Sequence, residues 1–442
     1  VQLSTVAAQQ KIDMPETLAE WLDYQQNLHA RGIDLGLDRV HAVAERMHLL
    51  RPAPLVITVG GTNGKGSTVA FLDAILSMSG KRVGCYTSPH LERYNERVRI
   101  AGVDADDAAF IEAFARIEAA RGEISLTYFE FSTLAALWMF AQSTLDVVLL
   151  EVGLGGRLDA VNIVDADVAI VTTIALDHQD YLGDDLAGIA REKAGIFRAQ
   201  RPAVIAEAKP VTALVDAAIA RDAKLIRCGH EYSFVSTSCG WSWRSGETLL
   251  ELPLPTLDAA CQCSNAAAAI AAVHALRDRL GWNPQAIAQG VYQANIPARL
   301  QRFSGAAELI IDVAHNPQAA AMLADWLRAH PIPGRTLAVF SALADKDIAA
   351  IVQPLALWIS RWFVCGLDQH VARGATAQDV TARLLTGAPA AEYECFADPA
   401  TALAAAWSAA RPDDRVMAFG SFYVAADTLS FAREHGLAAA VK

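Results

Sequence analysis

The chain has 442 residues and a formal net charge of −12, with 37 Lys plus Arg against 49 Asp plus Glu. At roughly 100–200 residues per domain this length predicts two or three domains, and 53% hydrophobic with 19% charged residues excludes a disordered or fibrous chain. The negative field argues against nucleic acid as a partner, and no apolar stretch approaches the roughly 20 residues of a membrane helix.

The opening Val-Gln-Leu-Ser-Thr lacks a basic end followed by an apolar core, so no signal peptide is expected. The first periodic segment, Leu18 to His29, reads as an amphipathic helix. Short apolar runs then alternate with helical stretches. The runs are Leu55–Val59, Arg82–Tyr86, Asp146–Glu151, Val168–Thr173 and Ala203–Ala206, and the helices include Ala105–Arg121, Glu130–Gln142 and Val211–Arg221. Such alternation predicts an α/β domain with a mostly parallel sheet wrapped by helices. Cys228–Glu251, with Tyr232, Trp241 and Trp243, reads as a small antiparallel β attachment to that sheet. The segment Gln293 to Arg302 lacks periodicity and suits a linker, which places a boundary near residue 297. From Glu308 the alternation restarts through Glu308–Val313, Thr336–Ser341, Arg361–Cys365 and Arg415–Phe419. The expectation is an ATP-binding domain over 1–297 and a smaller, Rossmann-like α/β domain over 298–442. The seven cysteines are odd in number and form no CxxC pair, as reduced thiols of a cytoplasmic protein would.

The first strand runs into Gly60-Gly61-Thr62-Asn63-Gly64-Lys65-Gly66-Ser67-Thr68 and then a helix. Unpaired backbone N–H groups and a helix dipole at such a turn cradle phosphate, and Lys65 adds a full charge. The literal P-loop pattern is only partly met, because Val59 and Gly66 stand where Gly and Ser/Thr belong and the hydroxyl moves to Ser67. Glu151 ends another strand and precedes Val-Gly-Leu-Gly-Gly-Arg-Leu-Asp159, which places its carboxylate at the crevice where open α/β sheets bind ligands. Asp177 and His178 follow a third strand, and Asp312 and His315 follow one in the second domain. Taken alone, the Asp-His pair reads as a loop hydrogen bond, Lys193 as a surface lysine, and Asn316-Pro317 as helix-start chemistry.

Taken in order, these motifs resemble the folylpolyglutamate synthase family of the Mur ligase superfamily. The matching stretches are Trp21–Val40, Gly61–Ser67, Tyr86–Leu91, Leu126–Phe131, Glu151–Asn162, Leu176–Gly183, Arg191–Arg198, Asn265–Ala267, Asp312–Pro317, Lys346-Asp347 and Gly420–Phe422. Gly-Thr-Asn-Gly-Lys-Gly-Ser and Glu-x-Gly-Leu-Gly-Gly-Arg-Leu-Asp are the specific ones. The sequence departs at Val161, where Thr is common, and at Ala298 and Val313, where Gly is common.

The resemblance implies an ATP-dependent ligase joining L-glutamate to dihydropteroate and to reduced folates through an acyl phosphate, as bifunctional bacterial members do. By the family's pattern Asn63, Gly64, Lys65, Gly66 and Ser67 hold the ATP phosphates, Asn265 lies near the adenine, and Arg299 and Asp312 contact ATP from the second domain. Ser88 and Glu151 would bind one Mg²⁺, and His178 with a carboxylated Lys193 a second. The pterin-bearing acceptor would lie along Gly32, Ile33, Asp34 and Leu35, along Thr127, Tyr128, Phe129 and Glu130, and along Leu158, Asp159 and Ala160. Lys65, Lys193 and His315 are the catalytic candidates, the base for the glutamate amine being His315 or a neighbouring carboxylate. The family leads one to expect a monomer. Rival readings are a folylpolyglutamate synthase alone, a peptidoglycan-precursor ligase, a regulatory P-loop NTPase and an inactive binding module.

Overall fold

The computed structural model describes residues 14–440; the opening residues read above for a signal peptide lie outside them. Eight strands form the first sheet: β1 (Val56–Gly60), β2 (Val83–Tyr86), β3 (Val98–Ile100), β4 (Val103–Asp104), β5 (Val147–Glu151), β6 (Val168–Val171), β7 (Pro202–Ile205) and β8 (Lys224–Arg227). Their order is β4-β3-β2-β5-β1-β6-β7-β8. All pairings are parallel except β2 with β3 and β3 with β4. β1 and β5 are buried at every position, which is why they read as unbroken apolar runs rather than alternating ones. One face is covered by helices Leu18–Leu28, Asp38–Arg46, Asp107–Arg121 and Tyr128–Ala141, and the other by Lys65–Met78, Cys261–Ala275 and Pro284–Gln293.

Strands β9 (Ser233–Ser236), β10 (Trp241–Ser245) and β11 (Thr248–Leu252) make an antiparallel sheet of their own. They do not extend the first sheet. Trp241 and Trp243 are buried against the helix Cys261–Ala275, and Trp243 Nε1 donates to Ala267 O at 3.1 Å.

The second main sheet contains β12 (Gln301–Ser304), β13 (Glu308–Ile311), β14 (Thr336–Phe340), β15 (Arg361–Cys365), β16 (Tyr393–Phe396), β17 (Arg415–Phe419) and β18 (Ala438–Ala439), in the order β16-β15-β14-β17-β13-β12-β18. Helix Pro284–Gln293 ends before an irregular stretch, and β12 takes the last two residues expected to be linker. Phe303 is its only buried residue, too little alternation to register in the sequence. Flanking Arg299, Ala298 and Leu300 adopt left-handed backbone, with φ of 55° and 47°.

All seven cysteines are free thiols; Cys85, Cys228, Cys263 and Cys365 are buried, Cys261 is half-buried, and Cys239 and Cys395 are exposed. No described helix is long and apolar enough to cross a membrane.

Candidate active site

The Gly-rich turn connects β1 to the helix Lys65–Met78, with Gly64 at its N-cap in left-handed conformation, φ 87°. A Cβ at Gly64 would lie 2.5 Å from Asn265 Oδ1, so both the backbone and the close approach require glycine. Thr172 Oγ1 donates to Asn63 O at 2.6 Å, and Asn63 N donates to Thr173 Oγ1 at 3.0 Å. Lys65 Nζ donates to Gly61 O and Thr62 O at 3.2 and 3.1 Å. Lys193 Nζ reaches the same Gly61 carbonyl at 2.9 Å. Lys193 is therefore not a surface lysine. It is 5% exposed, and burial together with the Lys65 charge lowers its pKa to about 7.

Glu151 ends β5 in a buried position, where Ser88 N donates to its Oε2 at 3.1 Å. Burial raises its pKa, against the pull of Lys65. The following loop folds around Asp159, which accepts from Leu154 N and Val161 N at 2.8 and 3.1 Å. Burial pushes that carboxyl up to about 6. The loop's backbone presses on the helix carrying Lys193. A Cβ at Gly156 would meet Lys193 O at 2.9 Å, and one at Gly195 would meet Arg157 Cα at 2.4 Å. Asn162 Nδ2 closes this seam by donating to Arg157 O and Gly195 O at 3.0 and 3.2 Å.

The second domain supplies the opposite wall. Asp312 accepts from Leu300 N and Ala314 N at 2.8 and 2.7 Å, which fixes the turn holding Arg299. His315 Nδ1 donates to Val313 O at 2.8 Å, leaving Nε2 3.5 Å from Asp177 Oδ2. Lys346 forms a buried ion pair with Asp177, and Asn316 Nδ2 donates to Asp177 at 3.3 Å. Burial raises the Asp177 pKa, but the His315 hydrogen bond and the charges of His178 and Lys346 more than offset it and hold the carboxyl well below its usual range. His178, in left-handed conformation, is lowered to about 4 chiefly by burial.

The expected acceptor segments meet at a capping box. Thr127 Oγ1 accepts from Glu130 N at 3.2 Å, while Glu130 Oε2 accepts from Thr127 N at 2.7 Å. Arg39 faces Glu130 Oε1 at 3.1 Å and pairs with Asp34 at 2.7 Å, tying loop 32–35 to the helix Tyr128–Ala141.

Every site residue singled out in the sequence lines one cavity of about 750 Å³ between the two domains. Within it, the Asn265 side chain abuts Gly64 and donates to Gln262 Oε1 at 3.0 Å, bracing the Gly-rich turn. The sequence reading missed Gln262, Thr172, Thr173, Gln318 and Arg97. The threonines had a signal, standing directly after the strand beside β1; the others are single polar residues without a motif.

The Mur ligase middle domain family matches residues 59–273, and the Mur ligase glutamate ligase domain family matches residues 298–422. The chain is 47% identical over 413 residues to the dihydrofolate synthase/folylpolyglutamate synthase of Escherichia coli (strain K12), covering 93% of this chain and 94% of that one. The structure of E. coli FolC in complex with DHPP and ADP matches with a TM-score of 0.89 at 45% identity, over 96% of this chain and 99% of that one. A bifunctional folylpolyglutamate synthase/dihydrofolate synthase with Mn, AMPPNP and L-glutamate bound matches with a TM-score of 0.86 at 45% identity, over 95% and 100% of the two chains.

Proposed function

Since the chain belongs to the folylpolyglutamate synthase family of the Mur ligases, we propose that it joins L-glutamate to dihydropteroate, giving dihydrofolate, and to the glutamate tail of reduced folates. The observation that carries this reading is the interdomain cavity, with a phosphate cradle, buried Glu151 and Lys193 on one wall and Asp312 and His315 on the other. The acceptor carboxylate attacks the γ-phosphorus of ATP and ADP leaves. The amine of L-glutamate then attacks the acyl phosphate, and phosphate leaves. No side chain becomes a covalent nucleophile.

Backbone N–H groups of Asn63 to Ser67 and the Lys65 ammonium are suited to hold the ATP phosphates and neutralise the charge spread over the transferring group. Asn265 and Arg299 complete the nucleotide site, with Asp312 setting the turn beneath Arg299. The buried Glu151 carboxylate, with Ser88 and His178 lining the same cavity, fits Mg²⁺, which dehydrates reluctantly and is held largely by substrate phosphates plus one or two carboxylates. Ser88 and Glu151 would hold one ion, His178 and Lys193 the other; bound there, magnesium supplies charge neutralisation at the phosphates.

Only a neutral amine adds carbon dioxide, and a Lys193 pKa near 7 keeps a large fraction neutral at physiological pH. The family resemblance carries N6-carboxylation over to Lys193, and its burial beside Lys65 and the Gly-rich turn suits that reading. The loops 32–35 and 127–130 and residues 158–160 take the pterin-bearing acceptor, with Phe129 available for stacking. The domains divide between residues 297 and 298, and the enzyme acts as a cytoplasmic monomer on these small molecules. Phosphate release from MgATP and L-glutamate, with dihydropteroate or a reduced folate as acceptor and mass spectrometry of the products, tests the proposal. Products heavier by one glutamate are expected from both acceptors; product from the folate alone leaves a folylpolyglutamate synthase, and no acceptor-dependent release overturns the ligase.

A further inference from the structure

Arg97 is a cation buried in the wall of the active cavity that forms no ion pair among the described residues. It closes the short turn Tyr94–Arg97 before β3 and is 7% exposed. Its neighbours Arg93 and Arg99 pair with Asp104 and Asp73. Among the described residues no carboxylate pairs with Arg97. Its Nε donates to His90 Nδ1 at 2.8 Å, an imidazole nitrogen that accepts the hydrogen bond and brings no negative charge to the guanidinium. The guanidinium carbon lies 5.2 Å from the Tyr94 ring centre and 5.5 Å from that of Tyr128, two contacts that fix its orientation. Its charge acts on buried Glu151 without pairing with it; a desolvated guanidinium that lacks an ion-pair partner is costly, and a cavity-lining one is set to meet an anionic ligand.

Its position selects the ligand. Arg97 O accepts from Thr87 N at 3.0 Å, beside Ser88 and the Ser88–Glu151 hydrogen bond. Tyr128, whose ring lies against it, opens the helix whose start is an acceptor segment. Arg97 thus stands where the acceptor wall meets the phosphate end of the cavity.

We propose that Arg97 holds the acceptor carboxylate that is phosphorylated, binding the oxygen that does not attack. This rests on the ligase reading above. One carboxylate oxygen bonds to the γ-phosphorus as the bond to ADP breaks. The other becomes the carbonyl oxygen of the acyl phosphate, takes up the negative charge when the glutamate amine adds, and returns to a carbonyl as phosphate leaves and the amine proton passes to a base. A guanidinium fixed on that oxygen serves both stages, as a positioning contact first and an oxyanion donor second. Because dihydropteroate carries a single carboxylate, one arginine in this role serves both acceptors.

The test compares the parent enzyme with Arg97→Gln and Arg97→Lys, measuring kcat/KM for dihydropteroate and for a reduced folate, the Kd of AMPPNP, and rescue of Arg97→Gln by added guanidinium. For Arg97→Gln the expected result is a loss on the order of 100-fold or more for both acceptors, an unchanged AMPPNP Kd that shows the fold and nucleotide site intact, and partial recovery with guanidinium or in Arg97→Lys. Acceptor kcat/KM within threefold of the parent overturns the proposal, as does a loss confined to the folate, which would place Arg97 on its non-reacting carboxylate. A weakened AMPPNP Kd matching the loss also overturns it, by making the effect structural. A parent enzyme without acceptor-dependent turnover is a failure of the ligase reading itself, seen before any variant is compared.

Discussion

Asn63 of the phosphate turn and Asn316 of the second domain exchange side-chain hydrogen bonds: Asn63 Nδ2 donates to Asn316 Oδ1 at 3.1 Å, and Asn316 Nδ2 donates to Asn63 Oδ1 at 2.9 Å. Asn63 Nδ2 also donates to Gln318 Oε1 at 2.6 Å. The turn that would grip ATP is therefore shaped in part by residues at the start of helix Pro317–Ala329, where Asn316 also caps that helix through Ala319 N.

Gln318→Ala removes an acceptor from Asn63 Nδ2 and from Thr173 Oγ1 without touching the Asn316 cap. A loss of about 1 kcal/mol in stability is expected for such a hydrogen bond. Steady-state kinetics should show a several-fold rise in the KM for ATP; a KM equal to the parent's would mean the clasp does not shape the turn.

Lys346→Met leaves the Asp177 carboxylate buried without its ammonium partner. Breaking such a pair typically costs about 3–5 kcal/mol, and the remaining contacts from Asn316 and His315 place the expectation at the lower end. The pH dependence has a defined sign. Asp177 is held below its unfolded value, so its stabilising contribution is present above about pH 4 and disappears as the pH falls through the folded value. Chemical denaturation should show the widest gap between parent and variant near pH 7 and a narrowing gap toward pH 3.

Glu207 carries the opposite sign. It is lifted to about 7 by burial, against a hydrogen bond from Ile174 N at 3.2 Å. Its folded state holds the proton more tightly than the unfolded chain, so stability falls as the pH rises from about 4.5 to 7. Glu207→Gln keeps an acceptor for Ile174 and removes the charge. With the exposed part of the side chain discounted for solvent screening, a gain of about 1–2 kcal/mol is expected at pH 8 and none at pH 4. A gain equal at both pH values would rule out the charge as its source.

Ala298→Gly should be almost neutral. The left-handed backbone at Ala298 costs about 1–2 kcal/mol relative to glycine, but glycine returns about 0.4–1 kcal/mol through the unfolded state and forfeits a fully buried methyl of about 0.8 kcal/mol. These nearly cancel, so the change in unfolding free energy should stay within about 1 kcal/mol. Ala298→Val, a β-branched residue at the same φ, should destabilise markedly more; equal effects from the two would show that strain is not the deciding factor.

Much of this architecture was legible in the sequence because it is written in long-range burial. Strands buried on both faces leave unbroken apolar runs, and the sequence reading located β1, β5, β15 and β17 to within about a residue. The β3–β4 hairpin escaped because its strands are short and its turn is Ala101-Gly102, both with positive φ, where Asn-Gly would have been the usual cue. In the cavity, Lys65, Glu151 and Asp312 were marked by strand-end or strand-to-helix positions beside glycines or a second polar residue. Arg97 in its wall and Gln318 behind the Gly-rich turn were not, since a lone arginine or glutamine acquires meaning only from what surrounds it in space. Lys193 shows the difference most sharply: its local pattern says surface helix, and only the loop of residues 153–159 folding over it makes it a buried, weakened base.

The glycine seam between Gly156 and Gly195 has a consequence for redesign. The loop that would face an acceptor is, on its other side, the backbone support of Lys193, with no room for an added carbon between them. Variation introduced there to admit a bulkier acceptor would shift the lysine as well, so acceptor range and chemical competence are mechanically linked along 153–159. Loop 32–35 is held by the Arg39–Asp34 pair, and an added carbon at Gly32 or Gly36 would meet nothing within 4 Å. Libraries aimed at new acceptors therefore have more room at those two positions than along 153–159.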